Sequence, residues 1–286
     1  MTSPQVLLNA WDLRARKELG QNFLKDPAVA EQIVALAQVR HQDVVLEIGS
    51  GLGVMTIAAA RAASKVIAVE KDRRLLPLLR SELLLNGLTQ VQVFSQDILT
   101  LDLHALASEA GRSLIVLGNL PYNISSQVLI KLIEQRRVVE RAVLMFQKEL
   151  AERLCAGPGC KAYGRLSVLL QYCADLKLMR DIKARQFFPV PKVDSAILRI
   201  DFKKHLSRAV SDEALFVRVI QAAFGQRRKT LRNALGGGLL PLNSETAERV
   251  LVAAGIDPRR RAETLSVDEY VALTDTVQQH IFSKKT

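Results

Sequence analysis

Cysteine, histidine and long apolar runs are all scarce in this chain, and each scarcity removes a class of protein. The three cysteines, Cys155, Cys160 and Cys173, are odd in number and match no zinc-ligand spacing. The four histidines, His41, His104, His205 and His280, are scattered and form no cluster, so no metal cofactor is expected. No apolar stretch approaches the ~20 residues of a membrane-spanning helix, and no membrane partner is expected. Leu13-Arg14-Ala15-Arg16-Lys17-Glu18 is charged where a secretory signal would be apolar, so a cytoplasmic address follows by default.

What is present is an ordinary globular mixture with a strong positive excess. Hydrophobic residues make up 49% and charged residues 24% of 286, enough to bury a real core and to fill one large domain plus a smaller one. The formal net charge of +11 admits nucleic acid, an anionic membrane or mere solubility. Distribution separates these. Residues 161–204 hold ten Lys/Arg against four Asp/Glu, and later come Arg227-Arg228-Lys229 with Arg232, and Arg259-Arg260-Arg261. Clustering of this kind favours a polyanion surface over uniform solvation.

Beyond a polar N-terminal arm, Asp26-Pro27 reads as the cap and first residue of an amphipathic helix reaching about Gln38. Strands and helices then alternate. Strands are predicted over 44–48, 65–70, 91–94, 114–117 and 142–146, a small-residue helix over 55–63, and a helix capped by Asp72 and ended by Gly87. This alternation specifies an α/β fold with a parallel, doubly wound sheet. Two further β-rich segments, 176–182 and 196–202, are joined by Phe187-Phe188-Pro189-Val190-Pro191 with no room for a long helix, so an antiparallel pair at one sheet edge is expected. From about Ser207 the pattern is purely helical, broken at Gly236-Gly237-Gly238. The expected division is a catalytic domain over 1–206 and a small all-α domain over 207–286.

The first glycine turn reads Glu47-Ile48-Gly49-Ser50-Gly51-Leu52-Gly53. Glycines after a first parallel strand let a ligand approach the backbone closely. A dinucleotide fingerprint would need its third glycine one position later, where Val54 stands. A carboxylate at Glu47 would repel a pyrophosphate, yet it suits a ligand bearing an ammonium and a sulfonium. S-adenosyl-L-methionine carries both. Glu70, at the end of the second strand, is placed to accept ribose hydroxyls. Asp97, after the third, serves either as acceptor for the adenine amine, with Ile98 offering apolar contact, or as a loop cap.

The fourth strand ends in Asn119-Leu120-Pro121-Tyr122. Ligands of such sheets bind beyond the carboxyl ends of the strands, so this loop should face the donor. A conjugated amine is a poor nucleophile. Two neutral acceptors, the Asn119 side-chain oxygen and the Leu120 carbonyl, would draw its hydrogens towards tetrahedral geometry and stabilise positive charge developing on nitrogen. Pro121 fixes the backbone, and Tyr122 offers a face for a base to stack upon. Adenine N6, cytosine N4 and a glutamine side chain all remain open as acceptors of the methyl group. The basic surplus argues against a protein substrate, and a paired base would have to be extruded. Phe187 or Phe188 would supply a second stacking face, or one of them belongs to the core.

The chain resembles the ribosomal RNA adenine dimethyltransferases, specifically those of the small subunit. The resemblance runs from about Leu19 to Asp275 and is carried by Gly20-Gln21-Asn22-Phe23-Leu24, the glycine turn, Gly118 to Tyr122, Gln147-Lys148-Glu149, Lys161-Ala162-Tyr163-Gly164-Arg165-Leu166-Ser167, residues 187–195, Arg227 to Arg232 and Arg261-Ala262-Glu263-Thr264-Leu265-Ser266. It implies a Rossmann-like class I methyltransferase sheet and N6,N6-dimethylation of two adjacent adenosines in the 3′-terminal hairpin of small-subunit rRNA, within the immature 30S particle, by a monomer. It implies donor contacts at Asn22, Leu24, Gly49, Glu70, Asp97 and Asn119, beside Gly51 of the glycine turn and Ile98 from the reading above, with Phe187 stacking opposite Tyr122. It also implies an RNA-docking helical domain, for which Arg227, Arg228, Lys229 and Arg232 are the candidates. Ser50 stands where such turns commonly carry proline, and the tract Arg259 to Arg261 has no assigned role. Two other readings share these residues: a non-catalytic RNA-binding assembly or transcription factor, and a large-subunit rRNA adenine dimethyltransferase.

Overall fold

The computed structural model describes residues 2–283, with side chains as far as Ile281. By contacts the chain forms two compact units, one of Met1–Ala151 with Ala174–Lys203, the other of Glu152–Cys173 with Lys204–Thr286. A boundary drawn at 206/207 follows the change from alternating to helical pattern. It has no means of showing that the earlier stretch 152–173 groups with the C-terminal helices.

The first unit is built on strands β1 (Phe23–Leu24), β2 (Val44–Ile48), β3 (Lys65–Glu70), β4 (Val91–Ser95), β5 (Leu114–Asn119), β6 (Val139–Gln147), β7 (Ala174–Ile182), β8 (Phe187–Phe188) and β9 (Ser195–Phe202). Its helices are α1 (Pro4–Ala10), α2 (Pro27–Leu36), α3 (Val54–Ala62), α4 (Leu76–Leu85), α5 (Leu103–Ala110) and α6 (Ser125–Glu134). Helix α7 (Lys148–Cys155) begins in this unit.

Seven strands make one sheet in the order β4-β3-β2-β5-β6-β9-β7. The first five run parallel, and β9 is antiparallel to both β6 and β7. The expected antiparallel pair is therefore present at one edge. All five residues of β2 are buried, as expected for a strand covered on both faces. Strand order reverses beside β2, whose last residue, Ile48, pairs with Gly118 of β5. This register sets the glycine turn and Asn119 side by side at a topological switch point. Gly118 is required there, because an added Cβ would lie 3.1 Å from the Ile48 carbonyl oxygen and 3.0 Å from Leu120 Cδ2.

The N-terminal arm corrects one expectation. It is not simply polar: Ser3 caps α1, and Leu7 and Leu8 are buried in a cluster with Phe23, Leu52, Leu75 and Leu78. Polar flanking residues mask this short apolar face. The expected Asp26–Pro27 start of α2 is present, with the Asp26 side chain accepting from Ala28 N–H. Asp72 caps a single 3₁₀ turn, Arg73–Leu75, that leads into α4.

The second unit is helical, with α8 (Arg165–Cys173), α9 (Glu213–Gly225), α10 (Leu231–Leu235), α11 (Ser244–Ala253) and α12 (Val267–Ser283). Buried Tyr163 and Tyr270 flank the half-buried Phe224, with successive ring centroids 6.3 and 6.0 Å apart. Among the described residues, no helix is long and apolar enough to cross a membrane.

Candidate active site

A cavity of about 170 Å³ opens at the carboxyl ends of β2, β3 and β5, and the N-terminal segment 18–24 forms part of its wall. Gly49 lies at its edge with φ +73°, a left-handed conformation that favours glycine. A Cβ added there would meet nothing closer than the Asn119 carbonyl oxygen at 3.9 Å, so the space beside the backbone is open to a ligand.

Three unsatisfied polar atoms sit by this turn: Glu47 Oε2, Ser50 Oγ and Thr56 Oγ1 are buried without hydrogen-bond partners. Burial pushes the Glu47 carboxyl up to about 8; the adjacent Thr56 hydroxyl opposes this without well-formed hydrogen-bond geometry, and the Glu70 charge adds to it. An orphaned buried carboxylate is costly unless a cation reaches it. Glu47 lines the cavity, so a ligand carrying positive charge can supply that cation.

Glu70 is 7% exposed and tightly held. One carboxylate oxygen accepts from Gly51 N–H at 2.8 Å and the other from Asp72 N–H at 2.7 Å. Burial still raises its carboxyl above the usual range. Each oxygen keeps a second lone pair, which suits a ligand diol. Asp72 is itself bound by Arg74 (2.6 Å) and by Gln21 Nε2 (2.9 Å), and these contacts, Arg74 first, pull it down to about 2. Gln21 also accepts from Arg16 N–H at 2.8 Å, so the cavity wall is fastened to the end of β3.

The structure brings Asn22, Leu24, Gly49, Gly51, Glu70, Asp97, Ile98 and Asn119 to this one cavity, together with Pro121. Asp97 also fills the capping role: it accepts from Leu99 N–H at 2.9 Å and pairs with Lys71 at 2.8 Å. Burial opposes its ionisation, but Lys71 and the Leu99 amide outweigh that and lower its carboxyl.

The loop after β5 is held at several points. Asn119 Nδ2 donates to the Asn22 carbonyl oxygen at 2.7 Å, which fixes which end of the amide is which. Its Oδ1 keeps no donor among the described residues. The Pro121 carbonyl accepts from Ile124 N–H (3.2 Å) and Ser125 Oγ (3.0 Å), and the Tyr122 hydroxyl and Ser195 Oγ share a hydrogen bond of 2.9 Å. The Leu120 side chain is buried, and neither it nor Tyr122 lines the cavity.

Phe187 is a correction. It is 1% exposed, packed among Leu24, Ile182 and Ile197, and paired through its backbone with Leu24. In this structure it is a core residue with no face open for stacking. Phe188 packs beside the cluster of Leu7, Leu8 and Phe23.

In the helical unit, Arg227, Arg228, Lys229 and Arg232 are exposed; Arg227 donates to the Lys161 carbonyl at 2.8 Å, and Arg232 pairs with Glu248 at 3.2 Å. Two of the three arginines in the later tract have local partners. Arg259 pairs with Asp257, while Arg260 binds Glu269 and the Thr264 carbonyl.

Sequence reasoning missed Thr56, Gln21 and Ser195. A lone hydroxyl in the first turn of the apolar helix after a glycine bend was the available signal for Thr56. The other two act across more than 50 residues of chain, with separations of 51 and 73.

Comparison with known proteins agrees with this geometry. The family model described as ribosomal RNA adenine dimethylase matches residues 12–279. A relative from Desulforapulum autotrophicum, named ribosomal RNA small subunit methyltransferase A, is 50% identical over 277 residues, 97% of each chain. The crystal structure of a dimethyladenosine transferase from Plasmodium falciparum superposes with a TM-score of 0.74 at 26% identity, over 92% of this chain and 98% of that one. That of the 23S rRNA methyltransferase ErmE gives 0.68 at 25%, over 90% and 100%.

Proposed function

Since the chain belongs to the ribosomal RNA adenine dimethylase family, we propose that it converts two adjacent adenosines in the 3′-terminal hairpin of small-subunit (16S) rRNA to N6,N6-dimethyladenosine. It is an S-adenosylmethionine-dependent methyltransferase. The 50% identity to a small-subunit enzyme, against 25% to a large-subunit one, favours the small subunit. We further propose that it acts as a cytoplasmic monomer on the immature 30S particle.

One observation carries the chemistry: the Asn119 amide nitrogen is committed to the Asn22 carbonyl, so the amide oxygen is left to accept. S-adenosylmethionine, when bound, supplies a methyl carbon made electrophilic by its sulfonium. Glu47 would take the donor's ammonium on the carboxylate oxygen that lacks a partner, and Glu70 would accept its ribose hydroxyls. Asp97 and Ile98 would meet its adenine, with Asn22, Leu24, Gly49 and Gly51, which line the same cavity, around it. Asn119 Oδ1, with the Leu120 carbonyl as second acceptor, grips the hydrogens of adenine N6 and steadies the charge that develops there. The nitrogen becomes acidic as it turns cationic, so its proton leaves to solvent without a strong base. Pro121 stiffens the loop and Tyr122 would carry the base, so that orientation of the amine supplies much of the rate.

We assign 1–206 to catalysis and 207–286 to RNA docking, through Arg227, Arg228, Lys229 and Arg232; Met1 and residues 284–286 of these spans lie outside the described residues. Incubating the purified chain with labelled donor and undermethylated small subunits tests the reading, with N6,N6-dimethyladenosine as the expected nucleoside. Binding without donor consumption would instead mark a non-catalytic assembly factor. Label found only in large-subunit RNA would move the substrate there.

A further inference from the structure

We propose that Ser195 is a positioning residue that sets the orientation of the Tyr122 ring; this rests on the assignment of Tyr122 as the base-stacking face. Ser195 is the first residue of β9 and is 0% exposed. A hydroxyl buried in a sheet costs stability unless it is hydrogen-bonded, and the Ser195 hydroxyl is bonded to Tyr122 at 2.9 Å. The bond joins a loop side chain to one of the most firmly held points of the sheet.

That firmness comes from both sides. Ser195 is in register with Gln147 of β6 and with Ile182 of β7, so its backbone lies between two paired strands. The preceding residue, Asp194, is fixed as well. Its carbonyl accepts from Lys148 N–H at 3.1 Å, and its carboxylate accepts from Ala184 N–H and the Lys183 ammonium, each at 2.9 Å. Tyr122, by contrast, belongs to a connecting loop and is only half-buried. Asn119 and Pro121 are restrained from the N-terminal segment and from α6; the Tyr122 hydroxyl is tied to β9, its one hydrogen bond among the described residues. A ring tethered at its far oxygen loses the freedom to swing about its first side-chain torsion. A base stacked on it is then offered to Asn119 in one orientation. The antiparallel strand thereby gains a part in the chemistry without touching the substrate.

Ser195→Ala removes the tether and keeps the ring. The expected result is a kcat about tenfold lower, a loss of ~1.4 kcal/mol of transition-state orientation, with donor affinity unchanged. Tyr122→Phe deletes the same bond from the other side and should cost the same. The double variant should be no slower than either single one, because both remove one interaction. Ser195→Thr restores the hydroxyl and should recover most of the rate. A wild-type kcat in Ser195→Ala, additive losses in the double variant, or a rate loss matched by loss of donor binding would each overturn the proposal. An inactive wild type overturns the enzymatic reading and this proposal together, whereas an active wild type with an unaffected Ser195→Ala overturns this proposal alone.

Discussion

Asn119 and Asn22 are joined by a 2.7 Å hydrogen bond from the side-chain amide of the first to the backbone carbonyl of the second, across 97 residues of chain. The bond ties the tip of β5 to the N-terminal wall of the same cavity and decides which amide atom is left for a substrate. A free asparagine offers donor and acceptor alike. Here the bond fixes the orientation of the amide and leaves its oxygen without a donor among the described residues.

Asn119→Ala should therefore lower single-turnover methyl transfer by about 10²-fold, roughly the loss of one preorganised hydrogen-bonding group (~2.7 kcal/mol). Asn119→Asp keeps the size but has no N–H for the Asn22 carbonyl and sets oxygen against oxygen, so it should be no better. Donor affinity, measured by calorimetry, should fall only a few-fold in Asn119→Ala, because Glu47 and Glu70 are untouched. Unchanged transfer rates would remove Asn119 from the chemistry.

If Glu47 meets the donor's cation, donor binding should depend on pH. Its carboxyl is pushed up to about 8 by burial, so at pH 6–7 the empty site is mostly protonated and a cationic ligand must displace that proton. Affinity should rise as pH increases towards 8 and level off above it, with proton release seen as a buffer-dependent binding enthalpy. The sign for stability is opposite. The folded-state value lies above the unfolded one of 4.5, so the unliganded protein loses stability as pH climbs from there towards 8, by up to ~1.4 kcal/mol per pH unit. Glu47→Gln should abolish both trends, raising the Tm of the unliganded protein at pH 8 while weakening donor binding. A pH-independent donor Kd in the wild type would show that Glu47 does not meet the cation.

Much of this is legible in the sequence because it is local. The glycine turn, the acidic strand ends and Asn119 to Tyr122 each occupy a few consecutive residues, and the alternation of apolar strand and helix patterns suffices to mark out β2, β3, β4 and β5. The rest depends on pairing between distant segments. The sequence leaves open whether Phe187 or Phe188 stacks on a base or belongs to the core, and only the pairing of β8 with β1 draws the Phe187 ring inward beside Leu24. Helix α1 buries only Pro4, Leu7 and Leu8, too few for a periodic signal. The grouping of 152–173 with the C-terminal helices is a property of contacts, which no compositional boundary registers.

Two glycines of the turn should respond differently to alanine. At Gly53 (φ +88°) a Cβ would lie 2.6 Å from Cδ1 of the buried Leu79, so Gly53→Ala combines backbone strain with overpacking and should lower stability by about 2–4 kcal/mol. At Gly49 the protein leaves room, and backbone strain of ~1–2 kcal/mol is the only folding cost. The added methyl there faces ligand space, so Gly49→Ala should lose more donor affinity than its Tm shift explains. Thermal melts with and without donor separate the two; equal behaviour would mean the ligand does not approach Gly49.

The arginines of the helical unit differ in whether they are bound to the protein. Arg228 is exposed and forms no hydrogen bond or ion pair among the described residues. Arg260 binds Glu269 and the Thr264 carbonyl, and holds the Glu269 carboxyl below its usual range. If Arg228 neutralises a phosphate, Arg228→Ala should flatten the log–log salt dependence of subunit binding by about 1, with no change in Tm. Arg260→Ala should do the reverse, lowering Tm through lost hydrogen bonds worth ~1–2 kcal/mol while leaving the salt slope alone. Arg227 is the intermediate case, because its bond to the Lys161 carbonyl makes it a local strut as well as a charge. Its replacement should move both readouts. A salt slope unaltered in both Arg228→Ala and Arg227→Ala would place the RNA surface elsewhere on the chain.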